Sequence, residues 1–269
     1  MVNLSQLKRL VAYGCSHTAG AELGDHILLN LHSDVVDAEK RKLGDNDFNY
    51  KYQNILTKEA TSKINHSLSY ASKLAKQLNL DYENRANVGN SNQGIIYDIE
   101  LDIANGFLKD DDLLIIGLTS PDRWLYFMPN GQPKTPIYAP LYQWPNKEFH
   151  QIFIEQIANS YFTMYNFLVN VKYLDNLSKN LNGRLVQLFA HHTYKEYSEW
   201  NYTINPSITK KLRSITDQIL KFDSIIDQTI SLCNQLNWNT DTHAFYHAKE
   251  IWHKKFADYI EILIRNKYE

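Results

Sequence analysis

Leu10-Val11-Ala12-Tyr13-Gly14-Cys15-Ser16-His17-Thr18-Ala19-Gly20 is the stretch on which the fold turns. Leu10, Val11 and Ala12 read as a short buried strand, because an apolar run with a β-branched residue meets a glycine that must turn the chain. Ser16 then falls just past the strand's carboxyl end. In an open parallel α/β sheet that edge is where ligands bind. A hydroxyl there has two readings: a nucleophile, or a cap opening the next helix.

Downstream, strand-like and helix-like segments alternate. Residues 21–65 are polar and charged, with a short helix expected over 34–43 that Gly44 ends. This excursion is too long for an ordinary connection and is rooted beside Ser16, so it reads as a lid, with a decorated surface as the alternative. Leu68, Ala71, Leu74, Ala75 and Leu78 recur at helical spacing, predicting a helix over 67–78 capped by Ser67. A second strand is expected over 81–85, a helix over 93–107, and a third strand over 113–117 that is apolar on both faces, as a central parallel strand is.

Residues 121–145 hold six of the seven prolines, with Trp124, Tyr126, Phe127, Tyr138, Tyr142 and Trp144 among them. Proline at that density excludes a regular helix or a central strand. The aromatic rings are either platforms for sugar rings and acyl chains or a cover over the core. A long helix follows over 149–181, stopped by Gly183, then a fourth strand over 184–190 that ends at His191 and His192. Further helices are expected over 225–236 and 248–266, the last with Ile251, Trp252, Phe256, Tyr259, Ile260 and Leu263 on one face. Strands alternating with helices imply one domain of class α/β, spanning 1–269, with a mostly parallel sheet and helices on both faces in three layers.

With 269 residues and 43% hydrophobic content, the chain can bury a full core. Its net charge of −2, without a long basic run, lacks the electrostatic footprint of a nucleic-acid binder. Two cysteines, Cys15 and Cys233, form neither a disulfide framework nor a metal spacing. No apolar run is long enough to span a bilayer, and the first ten residues lack the apolar core of a signal peptide. The expectation is a protein made in the cytoplasm, or virion-associated if phage-encoded, with neither nucleic acid nor membrane as partner and with no cofactor.

Three further blocks follow the first in order: Asn84-Arg85-Ala86-Asn87-Val88-Gly89-Asn90-Ser91-Asn92, then Leu113-Leu114-Ile115-Ile116-Gly117-Leu118-Thr119-Ser120, then Asp241-Thr242-His243. Together these resemble the SGNH (GDSL-like) hydrolase family, in particular its divergent phage and bacterial members. The resemblance covers most of the chain in outline and is specific in the first, second and last blocks. It implies a flavodoxin-like α/β/α fold with lid insertions at about 21–65 and 121–145. It further implies Ser16 as nucleophile, His243 as general base and acid, and Asp241 as the carboxylate that orients it, since a serine hydroxyl attacks only when a base takes its proton. The backbone N–H groups of Ser16 and Gly89 would receive the oxyanion, and Thr119, Asn90 or Asn92 is the candidate to stand in for the third-block donor that this chain lacks.

Three departures stand out. Cys15 replaces the family's aspartate, the Asp–His spacing is one residue shorter than the commonest, and the third block has Thr119 where an asparagine usually donates. His17, Arg123, Trp124 and His191 are expected around the substrate. The activity implied is a serine esterase cleaving a carboxylic ester, foremost an O-acetyl group on a glycan; the alternative is a binding or virion-associated module that has lost turnover. Three rival readings weigh less. His243, His247 and His253 flank a helix start, but the glutamate of a zinc-protease motif is missing, so no metal is expected. His247 is a rival base, within reach of Asp241. Cys15 as nucleophile conflicts with alternation along the strand, which turns it away if Ser16 faces the site.

Overall fold

The computed structural model describes residues 2–20, 58–87, 89–119, 125–127, 133–134, 160–190, 225, 228–229, 232 and 250–269. Four strands form one parallel sheet: β1 (Arg9–Gly14), β2 (Asp81–Asn84), β3 (Asp112–Leu118) and β6 (Leu185–Phe189), in the order β2-β1-β3-β6. A two-stranded antiparallel ribbon, β4 (Tyr126–Phe127) with β5 (Pro133–Lys134), lies within the proline-rich stretch. The helices are α1 (Ser16–Ala19), α2 (Lys58–Leu68), α3 (Tyr70–Gln77), α4 (Asn92–Ala104), α5 (Ser160–Asn180) and α6 (Glu250–Tyr268).

Because β1 lies between β2 and β3, the chain leaves β1 in one direction to form β2 and returns past it to form β3. The winding reverses there. In doubly wound sheets this reversal opens a crevice at the carboxyl ends of the two strands concerned. Alternation along β1 separates the helical layers. The Tyr13 hydroxyl donates to Asp102 Oδ2 of α4 at 2.7 Å, whereas the neighbouring Gly14 faces Thr18 and, across Gly117, Tyr70 of α3. Helix α5 packs with α4 and β6, and α6 packs with α3. The sheet is therefore covered on both faces, which is why every residue of β3 is buried.

Charge ties the amino ends of β1, β3 and β6 together. Asp112, with no exposed surface, receives Arg9 Nε at 2.8 Å, the second Arg9 nitrogen at 2.7 Å and the Lys109 N–H at 2.7 Å. Arg184 donates there to the carbonyls of Lys109, Asp112 and Leu181. The Phe107 ring has Arg9 at 4.7 Å and Arg85 at 4.8 Å. Arg85 in turn clamps Asp102, whose second hydrogen-bonding partner is Tyr13.

The expected helix over 67–78 is in fact two. Ser69 is extended (φ −62°, ψ 158°) and its hydroxyl accepts the Ser72 N–H, so Ser69 caps α3, while Ser67 turns back to the Ile64 carbonyl. A short polar side chain that bonds its local backbone breaks the helix that apolar periodicity alone would run through. Helix α2 also makes the end of the 21–65 excursion helical. Ser91 caps α4, and Asn182 and Gly183, both at positive φ, stop α5 where a glycine stop is expected. The expected helix over 34–43, the remainder of the excursion, residues 149–159 and most of 121–145 lie outside the described residues.

Candidate functional site

The site begins with two glycines in register at the ends of β1 and β3. Gly14 pairs with Gly117. A Cβ at Gly14 would meet Thr18 Oγ1 at 2.2 Å, and one at Gly117 would meet the same oxygen at 2.0 Å and the Tyr70 hydroxyl at 2.7 Å. The paired glycines thus form a notch, and Thr18 fills it. Ser16 opens α1 two residues past the strand and is 2% exposed; Cys15 is completely buried. The Ala19 N–H donates to the Cys15 carbonyl at 2.9 Å, closing the turn.

The second block is tied to the first by main-chain and amide bonds. Arg85 N–H donates to Ala12 O at 2.8 Å and Asn87 N–H to Gly14 O at 3.1 Å, so the loop follows β1 to its end. Asn84 Nδ2 donates to the Thr18 carbonyl at 3.2 Å while its Oδ1 accepts the Ala86 N–H at 2.9 Å. Gly89 has φ 80°, a left-handed conformation that a side chain would strain. Beyond it, Asp98 of α4 accepts Nδ2 of both Asn87 and Asn90, at 3.1 and 2.9 Å. Burial raises the Asp98 pKa above its ordinary value, against the opposing pull of those two amides. A Cβ at Gly94 would meet Asn90 Oδ1 at 2.0 Å, so the first turn of α4 has room for this arrangement only because residue 94 is glycine.

The third block is joined to the second by one side chain. Asn92 Oδ1 accepts the Thr119 N–H and Asn92 Nδ2 donates to the Thr119 carbonyl, both at 2.9 Å. A carboxamide with both ends on one residue's backbone acts as a strand partner would. This commits the Thr119 N–H and one hydrogen of Asn92, leaving the second amide hydrogen. The Thr119 hydroxyl is buried and has no hydrogen-bond partner among the described residues. Leaving a buried hydroxyl unpaired costs on the order of 1–3 kcal/mol.

Ser16, Gly89, Asn92 and Thr119, although Ser16 and Thr119 stand 103 residues apart in the chain, thus all follow strand ends at the carboxyl edge of the sheet, with Asn92 and Thr119 in direct contact. The chain matches no family model and no curated protein. His17 belongs to α1; Arg123, Trp124, His191, Asp241, His243 and the rival His247 lie outside the described residues. Among the described residues no group of three His, Cys, Asp or Glu side chains is arranged to hold a metal. No described helix is long and apolar enough to cross a membrane. Sequence reading overlooked Thr18, Tyr70 and Asp98 at this edge. The two glycines ending β1 and β3 were the available signal for Thr18, since a notch needs a filler; Tyr70 and Asp98 lie on helices and carry no local signature.

Proposed function

We propose that the chain is an SGNH-type serine hydrolase with a flavodoxin-like fold, cleaving a carboxylic ester and foremost an O-acetyl group on a glycan. The observation that carries this reading is the meeting of three sequence blocks at the β1/β3 edge, with Ser16 opening a helix beside a loop that holds Gly89 at positive φ.

In the proposed reaction, Ser16 Oγ attacks the ester carbonyl carbon as its proton passes to His243, oriented by Asp241. The carbonyl oxygen becomes an oxyanion. The N–H groups of Ser16 and Gly89 donate to it, and the absence of a Cβ at Gly89 lets the backbone approach closely. The orphaned Thr119 hydroxyl supplies the donor that the third block lacks, and pairing with the oxyanion relieves its burial cost. Asn92 sets the position of Thr119 and keeps one amide hydrogen for the same oxygen. His243 then protonates the departing alcohol, leaving an acyl group on Ser16, and water attacks that ester by the same route. Residues 21–65 and 121–145 serve as lids, and His17, Arg123, Trp124 and His191 contact the substrate.

A second reading, a binding or virion-associated module without turnover, draws support from the same third block, because the Thr119 N–H is already spent on Asn92. A fluorophosphonate probe with peptide mapping, beside turnover of p-nitrophenyl acetate, separates the two. The expected result is a single label on Ser16, lost in Ser16→Ala, with turnover nearly abolished in both Ser16→Ala and His243→Ala because triad members act as a unit. Asp241→Asn should lose less. A folded protein that takes no label and turns over no ester overturns the hydrolase reading and leaves the binding module.

A further inference from the structure

We infer that His253, on the C-terminal helix, is a positioning residue for Ser16, acting through Tyr70 and Thr18. Only its consequence for reactivity rests on the hydrolase reading above; the mechanical linkage is independent of it.

Tyr70 is the first residue of α3, where a backbone N–H has no partner within its own helix. The capping hydroxyl of Ser69 goes to Ser72 instead. His253 meets the need from another element: its Nδ1 accepts the Tyr70 N–H at 3.0 Å. A nitrogen that accepts carries no proton, so the neutral ring bears its hydrogen on Nε2. His253 is 1% exposed. Its ring stacks on that of Tyr70 with centroids 5.9 Å apart and planes 16° from parallel, and Phe256 meets the other ring edge-on at 4.9 Å. Backbone and ring of Tyr70 are therefore held together by α6.

From there the linkage runs to the site in one step. The Tyr70 hydroxyl lies 3.0 Å from Thr18 Oγ1, and both oxygens occupy the space that a Cβ at Gly117 would take. Thr18 is fully buried, and its carbonyl is held by Asn84. With side chain and carbonyl both fixed, α1 has one seat on the sheet, and Ser16 is its first residue. His253 stands ten residues after His243 in the chain. The helix that follows the proposed base therefore also sets the position of the proposed nucleophile. A displacement of about 1 Å in a reacting group can cost roughly a hundredfold in rate, so a group that sets this seat is expected to affect reactivity without touching substrate.

The test compares Tyr70→Phe, His253→Leu and His253→Asn by the rate of fluorophosphonate labelling at Ser16, backbone hydrogen exchange over residues 15–20, and unfolding temperature. Tyr70→Phe keeps the ring and removes the bond to Thr18. Labelling should slow by about tenfold or more, with faster exchange over 15–20 at a near-native unfolding temperature. His253→Leu should slow labelling similarly, and His253→Asn, whose Oδ1 can take the place of Nδ1, should recover most of that loss. Rescue by an acceptor is not expected of a residue that merely fills space. Native labelling and exchange in folded Tyr70→Phe overturn the inference, as does a His253→Asn protein no better than His253→Leu. If His253→Leu does not fold, Tyr70→Phe decides. Should the native protein take no label, the hydrolase reading fails, while exchange over 15–20 still decides the linkage.

Discussion

The two ends of the β1/β3 pair are built on opposite principles. At the amino end, Arg9 and Asp112 form a two-pronged ion pair, Arg184 ties down three carbonyls, and Asp112 is wholly buried. At the carboxyl end the described side chains against Gly14 and Gly117 are the neutral Thr18 and Tyr70, neutral amides and hydroxyls (Asn84, Asn92, Thr119) hold the loops beyond them, and the carboxylate of Asp98 serves two amides farther out. Charge-assisted bonds hold a fixed geometry strongly. They hold the amino end of β1 against β3 in one register. Neutral amides and hydroxyls position backbone without imposing a local charge, and among the described residues they leave the Thr119 hydroxyl without a partner. In the proposed reading, the end with the weaker individual bonds is the one that receives the substrate.

Substitution at each end sharpens the contrast. Removing Asp112 should have the largest effect on stability: Asp112→Ala leaves the Lys109 N–H without its acceptor and the Arg9 guanidinium with the Phe107 carbonyl in place of a carboxylate, and breaking such a pair costs about 3–5 kcal/mol. Urea unfolding would measure it. Labelling of Ser16 in the folded fraction should be unchanged, and slower labelling would show that the two ends are not independent.

Gly117→Ala acts at the other end. The new Cβ would meet Thr18 Oγ1 at 2.0 Å and the Tyr70 hydroxyl at 2.7 Å, and such overpacking costs about 1–3 kcal/mol. Here Ser16 labelling should fall together with stability, because α1 must move. Adding Thr18→Ala to the same chain should recover part of the unfolding midpoint; no recovery would mean that the strain lies elsewhere.

Thr119→Val has the smallest expected effect on stability, and its sign is reversed. The shape is kept and an unpaired buried hydroxyl is removed, so the folded state should gain about 1 kcal/mol. Turnover of p-nitrophenyl acetate should instead drop by roughly a hundred- to a thousandfold, as for the loss of one oxyanion donor. Stability and activity moving in opposite directions would mark this end as built for a ligand. A loss of stability would instead reveal a structural partner for the hydroxyl.

Much of this was legible in the chain itself. The apolar runs of β1, β3 and β6, each bounded by turn or cap residues and separated by helical segments, point to a parallel sheet covered on both faces. Gly183 is readable as the end of α5, and the position of Ser16 past β1 follows from the glycine before it. Those are local properties of backbone and periodicity. Tertiary structure alone decided that Ser69 rather than Ser67 caps α3, that Asn92 spends its amide on Thr119 backbone, and that Tyr70 and His253 stand behind Thr18. A side-chain hydrogen bond depends on which elements meet, and residues 183 apart carry no periodic trace of their contact. The Arg9–Asp112 pair was hidden for the same reason: three successive acids read alike in sequence, and only the register of β1 against β3 singles out the third for burial.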